Sequence, residues 1–515
     1  MDITFHLVPQ KFFDALDATQ DYTPRDFARE GFIHCTDGAR AMADTANRYY
    51  KANGEPHYYL HIDKSRVRAP IRYDATPRLY PHIYGALNRD AIVAVRPSHR
   101  LADGTFLPPA PRWWLTAIDA LQHRDYRNLW LGQLLSQFGT QMQIMTIAYH
   151  VDQLTHSAIA LGLIGLMRVI PIVIFSLIGG LFADAHDRRR VMFVTQTVMM
   201  LCAATLGLLT VLGAISVPII YALSALIAAT MAFDGPARQS LAPNLVPKEH
   251  LTNALSLNNI MHQIAAIVGP AIGGFVIAGF GIAAVYWLNA ASFIAIFAAL
   301  VVMKTPTQQN LGAARVHLDS LTEGIRFVWD AKLIRATMLL DFFATFFSSA
   351  NALLPLIARE ILKVGPEGLG FLYAAESVGA VTAGVGMAFA GKIKRQGAIL
   401  LSSVAAYGVA TALFGASPVY TLTLVALALV GASDTVSTIL RNTIRQLATP
   451  DHLRGRMTAV NMIFFMGGPQ LGNLEAGIVA AAFGAPISVI SGGIATVFFV
   501  ALTAWLVPQL RKYKG

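Results

Sequence analysis

Three ionisable side chains stand deep inside apolar stretches of this sequence, where a charge is costly and so marks a candidate site: Arg168, Asp341 and Glu376. Glu376 falls near the middle of the stretch 367–391, in Leu-Tyr-Ala-Ala-Glu-Ser-Val-Gly, and Asp341 lies about two turns into 333–358, beside Phe342 and Phe343. A carboxylate among apolar groups can load and release a proton, the property a proton-coupled carrier needs. The alternative for both is a carboxylate held by a neighbouring helix for packing alone. Arg168 stands about ten residues into 158–183, near mid-bilayer at about 1.5 Å per residue, and Pro171 one turn on can loosen that helix. It either lines a central cavity or pairs for structure. Glu475, close to the end of 455–482, can be hydrated there, and His262 reads as a satisfied interior histidine.

A second set lies ahead of these stretches: His6, His34 and Thr36 in Gly31-Phe-Ile-His-Cys-Thr36, Arg40, and His82 in Leu79-Tyr-Pro-His-Ile-Tyr-Gly85. Drawn from separate elements, they could converge on a phosphate or nucleotide, with imidazole supplying acid–base capacity and guanidinium a bidentate anion clamp. A merely structural set is one alternative. A metal site is another, but His34-Cys35 with His6 and His82 has none of the local spacings typical of zinc, and no metal is expected.

The elements that must position these residues follow from hydropathy. Of 515 residues, 55% are hydrophobic and 14% charged, with a mean hydropathy of +0.50; a water-soluble chain carries about a quarter charged residues. The chain reads as a mainly α polytopic membrane protein with twelve spans, 126–151, 158–183, 190–213, 217–239, 252–278, 282–303, 333–358, 367–391, 397–416, 419–440, 455–482 and 486–507. Residues 113–303 and 333–515 would be two six-helix halves. They are joined by a linker, 304–332, in which Leu318, Leu321, Ile325, Val328 and Trp329 suit a helix on the membrane surface.

Residues 1–112 hold no such run and read as a small soluble α/β domain. Strands are expected over Ile3–Val8, Tyr58–Ile62 and Ala91–Arg96, and helices over Pro9–Ala18 and Gly38–Tyr50. A Pro-rich joint from Leu107 follows, with Trp113 and Trp114 suited to the headgroup belt. The two cysteines, Cys35 and Cys202, lie in unlike settings, so no disulfide is expected. The stretch Met1–His6 lacks the basic and apolar regions of a cleavable signal.

The net charge of +10 gathers in short loops rather than on a nucleic-acid face. Arg188 to Arg190, Lys248, Arg315, Arg326, Lys332, Lys392, Lys394, Arg395, Arg445, Arg454, Arg456, Arg511, Lys512 and Lys514 fall on one side, with little beyond Arg359 and Lys363 on the other. That asymmetry predicts a multi-pass protein of the bacterial cytoplasmic membrane with both termini cytoplasmic.

The basic turn carries a resemblance. Gly180, Asp184, Arg188, Arg189 and Arg190 are spaced as in the signature loop between helices two and three of the major facilitator superfamily, with Ala185 where that pattern usually has Arg. Arg238, Pro247, Leu251, Asn259 and Gly269-Pro270 recur as Arg441, Pro450, Leu453, Asn461 and Gly468-Pro469, about two hundred residues on, the size of a six-helix half. Asp234-Gly-Pro-Ala-Arg238 and Gly269-Pro-Ala-Ile-Gly-Gly274 resemble secretion-type exporters related to the enterobactin exporter, over residues 120–508. The resemblance implies a gating latch in which Asp184 faces the opposite half and Arg188 pairs with Asp234, with Arg238 beside them. The second half has Ala388-Phe-Ala-Gly-Lys-Ile-Lys-Arg395 at this place and lacks the Asp, so a one-sided latch is expected. Residues 3–97 resemble domain-of-unknown-function 952, which implies an ADP-ribosyltransferase-like α/β fold.

The reading is a secondary transporter, not an enzyme, that exports a siderophore or drug-like organic molecule by proton antiport. Phe342, Phe343, Phe346, Phe347, Met145 and Asn289 suit an organic cargo, and no Walker loop is present for ATP drive. Its partners would be that substrate, protons and the lipid bilayer, with no cofactor and no nucleic acid, in a monomer. Two rivals stay open: a membrane-anchored enzyme, and a sensor whose N-terminal domain binds a ligand and gates export.

Overall fold

In the computed structural model, the described residues are 3–17, 20–74, 79–101, 103–109, 119–241, 244–247, 250–304, 326–349, 351–390, 393–450 and 453–513; within them the side chains of 176–181, 183–185, 455, 459 and 463 are left aside. The expected surface helix falls mostly on 305–325, and Trp113 and Trp114 on 110–118, outside the described residues. The chain divides into two units, Met1–Ala117 and Ile118–Gly515.

The first unit has two antiparallel sheets. One has the order β3-β1-β4-β7, from β1 (Ile3–Pro9), β3 (Thr36–Asp37), β4 (His57–Asp63) and β7 (Ile92–Pro97). The other has the order β2-β6-β5, from β2 (Ile33–His34), β6 (Pro81–Ile83) and β5 (Ile71–Tyr73). Helices α1 (Gln10–Asp14), α2 (Phe27–Glu30) and α3 (Ala39–Tyr50) accompany them. The helix expected over Pro9–Ala18 is therefore a single short turn of five residues.

Alternation along β1 sorts its side chains. Phe5 and Leu7 pack with Met42 and Ala46 of α3, while Val8 joins Ile33, Leu60, Ile62 and Ile83 in a second core. His6 points with Val8 and is buried; its Nδ1–H donates to the His34 carbonyl at 2.7 Å, and its Nε2 accepts from the Tyr22 hydroxyl at 2.8 Å. The neutral ring is thus fully satisfied. Burial pushes the Cys35 thiol far above its ordinary value, so it behaves as a small apolar group.

The second unit holds twelve long helices among the described residues. The first six are α4 (Arg124–Thr155), α5 (Ala158–Ala185), α6 (Arg188–Val211), α7 (Val217–Leu241), α8 (Leu251–Phe280) and α9 (Ile282–Val302). The second six are α10 (Lys332–Ser348), continued by the short α11 (Leu354–Glu360), then α12 (Pro366–Phe389), α13 (Gln396–Ala416), α14 (Tyr420–Ala448), α15 (Arg454–Phe483) and α16 (Ala485–Leu506). Ten are long and apolar enough to cross a membrane. The two below that mark, α4 and α15, carry Gln133, Gln143, His150 and Asp152, and Asn461, Gln470, Asn473 and Glu475.

Packing repeats between the halves. In the first, α4 packs on α8 and α9, α5 on α7, and α6 on α7 and α9. In the second, α10 packs on α15 and α16, α12 on α14, and α13 on α14 and α16. The halves meet along α5 with α15 and α8 with α12.

Burial and desolvation lower the His6 pKa from 6.5 to about 4. Between those values the unfolded chain holds the proton and the folded one does not, so stability present above pH 6.5 is lost as pH falls toward 4. Protection factors of β1 and β4 amides in the full chain should drop by about 2–3 kcal/mol from pH 7 to 4.5 on this account, and His6→Gln should remove that part of the slope. An unchanged slope in the variant would refute the assignment.

Candidate functional site

Among the described ionisable side chains of the membrane unit, three ion-paired groups stand out, and Glu376 and Arg168 lie outside them. The first group belongs to the second half. Asp434, Thr438, Arg441 and Arg445 recur at helical spacing and share one face of α14. Arg441 Nη1 lies 2.7 Å and Arg445 Nη2 3.3 Å from the two oxygens of Asp341 on α10, and all three side chains are only 2% exposed. Arg441 also donates to Thr438 Oγ1 at 2.6 Å and approaches Asp434 at 3.4 Å. Arg445 spends its remaining donors on the Thr337 hydroxyl and carbonyl and on Asn461.

The structure bears on two sequence expectations here. Arg445, counted among the loop cations, is buried because Asp341 supplies its countercharge. Asp341, expected as a proton carrier, faces two guanidiniums of α14.

The second group is the latch region of the first half. Asp234 is fully buried and accepts from Thr195 Oγ1 and Gln196 Nε2 of α6, both at 2.8 Å, and from Arg238 Nη2 one turn along its own helix at 2.5 Å. Arg188, expected on Asp234, instead donates to the Ser240 carbonyl at 2.9 Å, near the end of the helix that carries Asp234. Gly180 and Asp184 lie in the last turns of α5, and their side chains are outside the described set.

The third group was not foreseen. Asp152, near the end of α4, is 1% exposed and receives a bidentate clamp from Arg359 of α11, Nε to Oδ2 at 2.9 Å and Nη2 to Oδ1 at 3.1 Å. This pair joins the two halves at the end opposite the Arg188–Arg190 turn. Tight backbone approaches lie beside it. A Cβ on Gly162 would meet Asn473 O at 2.8 Å, and one on Gly370 would meet Pro270 O at 2.5 Å. Sequence reading saw Arg359 only as a stray loop charge, yet Asp152 in an otherwise uncharged stretch of α4 was a usable signal.

Glu376 stands apart from these pairs, against a discontinuity. The span expected over 333–358 is broken, because Pro355 in the first turn of α11 cannot continue α10. The broken backbone is re-satisfied by side chains: Asn473 Oδ1 accepts from the Ala352 amide at 3.3 Å, and the Tyr373 hydroxyl donates to the Asn351 carbonyl at 3.1 Å. Asn351 Nδ2 in turn donates to Glu376 Oε2 at 3.0 Å. Gly431 of α14 packs so closely on the Glu376 carbonyl that any side chain there would displace α12.

Arg168 is half-buried in α5 and has no hydrogen bond or ion pair among the described residues. Of the N-terminal set, the structure brings His34 and His82 together as cross-strand neighbours, with ring centroids 5.0 Å apart. His6 and Thr36 are buried in β1 and β3, and Arg40 is exposed at the start of α3, so the five do not converge. Among the described residues no cluster could hold a metal ion.

Residues 115–514 match the family model described as transmembrane secretion effector, and residues 7–95 match one described as a protein of unknown function, DUF952. The enterobactin exporter EntS of Shigella boydii serotype 18 (strain CDC 3083-94 / BS512) is 27% identical over 407 residues, covering 78% of this chain and 96% of that protein. Its counterpart in Escherichia coli O1:K1 / APEC is 26% identical over the same shares. Among solved structures, a bacterial homolog of the human lysosomal transporter Spinster aligns with a TM-score of 0.60 at 13% identity, covering 76% of this chain and 97% of its own. The nucleoside transporter NupG aligns with a TM-score of 0.57 at 14% identity, covering 76% and 100%.

Removing Arg359 leaves Asp152 buried without its countercharge, a change that costs about 3–5 kcal/mol in comparable pairs. With spin labels at Leu212 and Val419, both exposed near this end, Arg359→Gln should lengthen or broaden the distance between halves. The exchange Asp152→Arg with Arg359→Asp should recover it. An unchanged distribution in Arg359→Gln would mean that the pair is not a latch.

Proposed function

We propose that this chain, which belongs to the transmembrane secretion effector family of major-facilitator transporters, exports a siderophore-like organic acid across the bacterial cytoplasmic membrane by proton antiport. It is a multi-span membrane transporter of the exporter type, not an enzyme. What supports the finer reading is the position of Glu376, a carboxylate outside the ion-paired groups and hydrogen-bonded to Asn351 at the break between α10 and α11. Discontinuous helices are where transporters of many folds put coupling ions.

On this reading Glu376 takes a proton when the site opens outward and gives it up when the site opens inward. Asn351 donates to the ionised carboxylate; a proton on Glu376 weakens that bond and frees α11 to dock on the other half. Arg359 lies beyond the break and clamps Asp152 of the other half, so the proton is felt at the outer latch. The basic loops support a cytoplasmic position for the Arg188–Arg190 turn, and with it for both termini. The Asp152–Arg359 end is then outward, and Asp184 with its basic neighbours would close the inner side in the alternate state.

Arg168 bears on the cargo. A half-buried guanidinium at mid-span with no protein countercharge among the described residues favours a substrate that brings an anion. The enterobactin exporters named above are similar along the whole transporter part, which supports a siderophore-like cargo.

Two measurements test this. In acidified inside-out vesicles, 2,3-dihydroxybenzoylserine should release protons through the wild type and not through Glu376→Gln, whereas Asp341→Asn should fail by losing folded protein. Coupled release by Glu376→Gln would exclude Glu376 as the carrier. Arg168→Gln should raise the half-saturating concentration of this acid at least tenfold while leaving efflux of cationic ethidium, if any, unchanged. Equal losses for both compounds would mean a structural role for Arg168.

A further inference from the structure

One sheet of the N-terminal unit gathers a row of side chains that the transport reading leaves unused. In the sheet β2-β6-β5, Ile33 and Ile71 both pair with Ile83, and His34 and Arg72 both pair with His82. The isoleucines turn to the core, with Ile33 and Ile83 fully buried. The other face therefore presents His34, His82 and Arg72 abreast. Neighbouring strands stand about 4.8 Å apart, so the row spans about 10 Å, enough for a chain of two phosphates.

Two features set this row apart from an ordinary solvated sheet face. Each imidazole is oriented by a carboxylate: His82 Nδ1 meets Asp74 Oδ2 at 2.7 Å, and His34 Nε2 meets Glu30 Oε2 at 2.9 Å. Gly31, at φ 77°, makes the sharp exit from α2 that returns His34 beside Glu30. That leaves one nitrogen of each ring for a ligand. The row is also flanked by aromatic rings that the core does not use. Phe32 stacks on His82 with centroids 4.1 Å apart and lies 5.3 Å from Tyr84, whose hydroxyl donates to Asp74 at 2.7 Å. The Arg72 guanidinium rests over the Tyr84 ring at 5.0 Å.

We infer that this face binds a nucleoside diphosphate, with Arg72, His34 and His82 taking the phosphates and the Phe32–Tyr84 strip taking the base. Guanidinium and oriented imidazoles suit phosphate oxygens, and any base stacks on an aromatic face. His6, Thr36 and Arg40 have no part in it. The inference is independent of the cargo and of proton coupling.

The test uses the full chain in neutral-lipid nanodiscs and radiolabelled ADP in equilibrium dialysis. ADP should bind saturably, adenosine and pyrophosphate each at least tenfold more weakly. Arg72→Gln and His82→Gln should each weaken ADP at least tenfold. Phe32→Ala should weaken ADP and adenosine but not pyrophosphate. Arg40→Gln, exposed on α3 and off this face, should bind as wild type. Amide protection in β1 and β4 reports that the variants are folded. No saturable ADP binding, equal binding by Arg72→Gln and His82→Gln, or capture of phosphatidic acid nanodiscs in place of ADP would overturn the inference.

Discussion

A charge inside a membrane protein needs a countercharge, and most of what distinguishes this chain follows from where the countercharges stand. Asp341 has two arginines, Asp234 has one arginine and two neutral donors, and Asp152 has one arginine from the other half. Removing one member of a buried pair is far worse than replacing both, so each pair fixes two helices against each other. The first ties α14 to α10, the second ties α7 to α6, and the third crosses between halves. Ionisable groups outside these pairs are then conspicuous, and Arg168 and Glu376 are two of them.

The interface between halves obeys a different rule. Along α5–α15 and α8–α12 the tightest approaches are glycine on backbone: Gly162 on Asn473, Gly477 on Ala158, Gly274 on Pro366, Gly370 on Pro270. Close packing of small residues supplies attraction without deep interlocking. Such a surface can separate and re-form as the halves rock. One bidentate ion pair beside it gives the closed arrangement a definite stop.

How much of this was legible depends on length scale. A run of about 20 apolar residues is a strong signal, and among the described residues the spans read from hydropathy fall on observed helices except within 333–358. The break after Ser348 was missed, although Pro355 stood within the expected span, because proline is tolerated in membrane helices and apolar character runs unbroken across it. Arg445 was misplaced for a related reason: charge near a span end reads as a loop, and only the register with Arg441 shows that it turns inward. In the N-terminal unit the long strands β1, β4 and β7 were legible. Strands β2 and β3 have two residues each, too short for alternation to show, and with β5 and β6 they were missed. His34 and His82 were picked out by type, but their pairing, and the exclusion of His6 to the core, came from sheet register alone.

The broken helix draws these strands together. Its first piece, α10, is bound to its own half through Asp341 and the two arginines of α14. Its second piece, α11, reaches the other half through Arg359. Between them, Asn473 and Tyr373 hold the freed backbone, and the Asn351 side chain reaches Glu376. Had the helix been continuous, a change in charge at Glu376 would have been opposed by the whole rigid span and by the buried network on α10. With the joint in place, α11 can shift while α10 stays fixed. On the proposed reading this is why the carrier carboxylate sits at the joint rather than at Asp341: a proton site must change its bonding to do work, and Asp341 is tied to two arginines of α14.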